Sequence, residues 1–119
     1  MKFCWTTLHV KSLEESIRFY HEIIGLNIIK QFETGPDMKI AMLGEQGNAL
    51  IELIEQKGIS LESRGISIGF EVASIDEAME QMKKNHIGIK SGPFSPVPST
   101  TFFFVEDPDG MEVQIVQHG

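Results

Sequence analysis

Glu52 is the charged side chain within the run Ala49-Leu50-Ile51-Glu52-Leu53-Ile54. A carboxylate among such neighbours is seldom buried without a partner. In a cavity it would accept hydrogen bonds, attract a cation or act as a general base. Upstream, Trp5, Thr7 and His9 alternate with Thr6 and Leu8. In a strand the first three leave one face. An indole there offers a stacking surface, and the hydroxyl and imidazole offer hydrogen bonds. Cys4, Leu8 and Val10 have the opposite parity and are expected to face a helix, with Cys4 a small core residue. The run Phe102-Phe103-Phe104 reads first as core, but the outer two share a face and are candidates to line a site. Met38 and Met42 read first as core and second as an adaptable wall. No Ser-His-Asp or Cys-His nucleophile set, G-x-G-x-x-G or P-loop is recognisable.

The elements that position these residues come from an internal repeat. Shifted by 62 residues, Val10–Ile17 falls on Val72–Met79 and Ala49–Glu55 falls on Met111–Gln117. The same shift pairs Trp5 with Ser67 and Glu52 with Gln114. Each half opens with a strand-like run, 3–10 or 66–72. A capping box follows, Ser12 with Glu15 or Ser74 with Glu77. Leu13, Ile17, Tyr20 and Ile24 then share one helical face, as do Ile75, Ala78, Met79 and Met82. Gly25 and Gly88 are expected to end the helices with φ > 0. Strand-like runs follow at about 26–33, 38–43 and 49–55, and at about 89–91, 100–105 and 111–117. Gly92–Pro98 and Asp107–Gly110 read as breaks between the later runs. The order is βαβββ twice, an α+β fold. The two modules are about 1–56 and 65–119, joined by a polar linker at 57–64, and together form a single domain.

The chain has 119 residues, a net charge of −7 and one cysteine. The negative balance argues against a nucleic-acid backbone or an anionic membrane as partner. The single cysteine permits no internal disulfide, and the N-terminal run MKFCWTTLHV lacks a signal-peptide pattern. A cytoplasmic protein is expected.

Ser16, Phe19, Tyr20, Gly25 and Leu26, with the late Asp107-Pro108-Asp109-Gly110 and the alternating residues after it, resemble the vicinal-oxygen-chelate superfamily of glyoxalases, bleomycin-resistance proteins and extradiol dioxygenases. The resemblance covers essentially the whole chain. It implies mixed sheets cupping a central pocket, a homodimer, and in many members a divalent metal held by four side chains. The positions corresponding to those ligands are Trp5, Glu52, Ser67 and Gln114. An indole cannot ligate, a hydroxyl and an amide are weak donors, and one carboxylate falls short of the roughly three protein ligands a catalytic metal needs.

The expected function is therefore binding without a complete metal site. A small aromatic or cationic ligand would be sequestered by Trp5, Thr7, His9, Glu52, Ser67, Phe102, Phe104 and Gln114. No cofactor is expected. The alternative is a metal-dependent lyase, isomerase or dioxygenase, with Glu52 as base. His9 and Glu52, extended by Glu71 and Glu112, are the alternative metal donors.

Overall fold

A computed structural model describes residues 2–59, 61 and 65–119. It divides into two compact units, Met1–Glu62 and Ser63–Gly119. Of the expected linker, Ser60 and residues 62–64 lie outside the described residues.

The first unit holds β1 (Trp5–His9), α1 (Leu13–Ile17), β2 (Asn27–Thr34), β3 (Met38–Gly44) and β4 (Leu50–Gln56). The second holds β5 (Ser67–Glu71), α2 (Ile75–Lys84), β6 (Ser91–Val97), β7 (Thr100–Glu106) and β8 (Glu112–His118). The sheet orders are β1-β4-β3-β2 and β5-β8-β7-β6. In each sheet the first strand runs parallel to the last and the other pairs are antiparallel, so both are mixed. This is the tandem βαβββ arrangement of the α+β class.

Strand alternation decides what each helix covers. In the first unit Leu43, Leu53 and Ala41 are fully buried with Val10, Leu13, Phe19, Tyr20 and Ile23. The second unit buries Phe103, Val105, Val113 and Ile115 with Ile75, Ala78 and Met82. Each large side chain so removed from water is worth about 1.5–3 kcal/mol. The helix starts are tied down twice. Ser12 and Ser74 hydroxyls accept from the Glu15 and Glu77 N–H groups, at 3.3 and 3.2 Å. A side chain from the last strand takes a second orphan donor. Glu55 accepts from the Leu13 N–H and Gln117 from the Ile75 N–H, both at 2.7 Å and both across 42 residues. The repeat thus extends to individual hydrogen bonds. Those strand side chains take the N1 donors, Leu13 and Ile75, which a capping box leaves open.

Four expectations are corrected. The first helix is not regular to Ile24: after Ile17 it continues as a π-helical segment, Arg18–Ile23. The Ile24 N–H donates to the Phe19 carbonyl, five residues back, at 2.9 Å. The extra residue rotates the buried face, so Ser16, Phe19 and Ile23 go inward and Ile17 and Ile24 are only half-buried. Gly88 does not end the second helix in the left-handed region: α2 caps at Asn85, and His86 takes φ 59°. Gly25 does terminate its helix with φ 96°. The Pro-rich stretch is a strand rather than a break, because β6 is an edge, where a missing N–H breaks no ladder. Its pairing with β7 is interrupted, at Ser91↔Phe104, Phe94↔Phe102 and Val97↔Thr100. Cys4, finally, is exposed. Burial declines along β1 from Val10 to Leu8 and Thr6, and Cys4 lies before the strand begins.

Candidate functional site

The residues that could do chemistry lie on the sheet faces opposite the helices. In the first sheet Glu52 sits beside Thr7 in the parallel β1–β4 register. The Thr7 hydroxyl donates to Glu52 Oε1 at 2.7 Å. Glu52 is half-buried, with Met42 opposite on β3. Trp5 lies across from Leu50 and His9 across from Ile54, both on the Glu52 face. Trp5 is 51% exposed, so it is a surface the solvent reaches rather than core. Met38 and Met42, half-buried, also leave this face. Lys30 lies 4.9 Å over the Phe32 ring at the far edge.

In the second sheet Gln114 lies opposite Gly69 on β5 and Phe104 on β7. A Cβ at Gly69 would stand 3.5 Å from Gln114 Oε1, in ordinary contact. Ser67 is exposed one step along and faces Glu112. Phe102 and Phe104 share this face while Phe103 is fully buried on the other. Phe94 from the edge strand joins them, with centroids 5.6 Å apart for each of Phe94–Phe102 and Phe102–Phe104. Glu112 is engaged by Lys90 at 3.2 Å. Glu71 accepts from His118 Nδ1. His118, Val116 and Phe94 are residues of this face that the sequence did not single out. His118 meets a partner 47 residues away, and Phe94 meets Phe102 across an interrupted hairpin.

Thr7 and Glu52 are thus brought together, with Trp5 and His9 along one face. Ser67, Gln114, Phe102 and Phe104 share a face of the other sheet. Among the described residues no three His, Cys, Asp or Glu side chains gather as a metal site. The donors at the four positions set by the resemblance are one carboxylate, one amide, one hydroxyl and an indole. Of the displaced set, Glu71 and Glu112 are engaged by His118 and Lys90. This chemistry does not fit a divalent metal. On the helix side of the first unit a groove of about 740 Å³ runs between α1 and the β2–β3 pair. Its lining is largely the solvated side chains of Glu14, Glu15, Arg18, Glu22, Glu33 and Lys39. None of the expected site residues lies in it.

The pattern of the Glyoxalase/Bleomycin resistance protein/Dioxygenase superfamily matches residues 2–115. This chain belongs to that superfamily. A superfamily relative named lactoylglutathione lyase, from Salmonella typhimurium, is 32% identical over 127 residues, spanning 98% of this chain and 93% of that protein. Among solved structures, glyoxalase I of Leishmania major superposes with TM-score 0.84 at 23% identity, covering 98% of this chain and 86% of that one. An antibiotic-binding protein from a Streptomyces species superposes with TM-score 0.76 at 15% identity, covering 100% and 97%. At those identities the two structures speak for the fold alone.

Proposed function

We propose that this superfamily member is a lyase- or isomerase-type enzyme acting on a small carbonyl compound of the lactoylglutathione kind, with Glu52 as the proton-moving group. This departs from the sequestering role expected from the sequence. The full-length similarity to lactoylglutathione lyases supports the enzyme reading over that one. The observation that carries it is Glu52 itself, a half-buried carboxylate on the open sheet face with one oxygen fixed by Thr7. A carboxylate so placed takes a proton from a carbon beside a carbonyl and returns it to the neighbouring carbon. The C–H electron pair moves into the carbonyl system and back, so no external oxidant is needed. Thr7 sets the direction of the acceptor lone pairs. No step is assigned to a metal, because the residues present do not make a site for one.

The test is formation and loss of lactoylglutathione by the purified chain, before and after dialysis against a chelator. Turnover is expected in both, and Glu52→Gln should lower kcat about 100-fold or more. No turnover, with or without added nickel or zinc, would overturn the enzyme reading. Trp5 favours the sequestering alternative, since about half of it is exposed on the same face. Tight binding of lactoylglutathione or an aromatic cation without turnover would establish it. The reading includes a cytoplasmic homodimer with a small-molecule ligand. Among the described residues no helix is long and apolar enough to cross a membrane.

A further inference from the structure

We propose that His118, held by Glu71, is a ligand contact on the open face of the second sheet, and that the ligand is elongated, polar at both ends and apolar between. The inference rests on the reading that the ligand lies on the sheet faces opposite the helices. Glu71 and His118 leave β5 and β8 on the same side as Gln114. The Glu71 carboxylate accepts from Nδ1 of His118. In the neutral imidazole that bond sets the tautomer and leaves the lone pair on Nε2. No described residue bonds to Nε2. The two side chains are 57% and 67% exposed, so the pair neutralises no buried charge and adds little to stability.

The strip between the polar groups defines what fits. His118 is four residues beyond Gln114 on one strand, about 13 Å along the sheet. Val116 lies between them on that face, with Phe102 directly opposite it. Gln114 at one end and His118 at the other therefore bracket an aliphatic and aromatic floor. The Nε2 lone pair accepts from a hydroxyl or ammonium group at that end of the ligand. The repeat places a similar chemistry in the first unit, where the corresponding residues are His9 and Gln56. The imidazole has changed strands, and in the second unit it is paired with a carboxylate.

Long-range proton–nitrogen NMR spectra of the imidazoles test this directly, with lactoylglutathione as probe. His118 is expected as the Nδ1-protonated tautomer in the wild type and as a mixture in Glu71→Gln. Saturating probe should move the His118 Nε2 signal and leave His86 unmoved. His118→Phe should raise the probe's Kd about tenfold, and His118→Gln, which keeps an acceptor, about threefold. An Nε2-protonated His118 overturns the proposal. So does an unmoved His118 signal when the Thr7 and Gln114 signals shift, an outcome that leaves the enzyme reading standing. A shifted His118 without turnover removes the enzyme reading and keeps the contact. No shift at any of the three removes both.

Discussion

On the first sheet's open face Trp5 presents an exposed ring and Glu52 a half-buried carboxylate, and in the proposed site one would supply area and the other charge. Trp5→Ala should weaken binding of an aromatic ligand by more than about 1 kcal/mol, measured by calorimetry; unchanged affinity would remove the indole from the site. Glu55 offers a cleaner test of an individual bond. Glu55→Gln should leave stability within about 0.5 kcal/mol, because Gln117 fills the same role in the second unit. Glu55→Ala should cost about 1–2 kcal/mol, since the Leu13 N–H is left without its acceptor. Urea denaturation of the three proteins would decide. The face shared by Trp5, Thr7 and His9 was legible in the sequence because period-two alternation needs no tertiary knowledge. A role for His118 was not legible there. Its partner is 47 residues away, and no local pattern announces it.

At the level of elements, the helix starts were readable from Ser12 and Ser74, whose hydroxyls do cap. Ser74→Ala should cost about 1 kcal/mol, seen as a lower urea midpoint with unchanged slope. What escaped was register inside elements. A π-helical segment looks like ordinary helix in sequence, and only the buried Phe19 and Ile23 reveal its phase. Strand β6 escaped because proline and glycine signal turns unless the strand is known to be an edge. Gly92 has φ 96°, and an added Cβ would stand 3.0 Å from the Phe102 carbonyl oxygen and 3.1 Å from the Phe103 Cα. Both are backbone atoms, which yield little. Gly92→Ala should destabilise the second unit by about 1–3 kcal/mol and move the Phe102 and Phe104 signals in NMR spectra.

For the whole molecule, the fold class and the order of elements followed from the repeat, because a 62-residue period repeats caps and alternation together. The activity did not follow, because three substituted positions say what chemistry is missing rather than what replaced it. Metal content is a direct check: the wild type should retain no zinc or nickel after dialysis, by metal analysis. Metal retained by the wild type would contradict the donor chemistry argued above. Phe3, Trp5 and Phe94 are 68%, 51% and 45% exposed. Apolar surface of that kind accords with association, and sedimentation should give about twice the 13.3 kDa chain mass.

Pro93 and Pro96 lie within an edge strand that also exposes Phe94 and Val97. An edge with greasy side chains would ordinarily recruit strands from other molecules and seed aggregates. Two missing amide hydrogens deny such a newcomer a regular ladder. Whatever settles against Phe94 and Val97 must therefore be selected by the shape of its side chains, and the protein can display a sticky rim without becoming a template for fibrils.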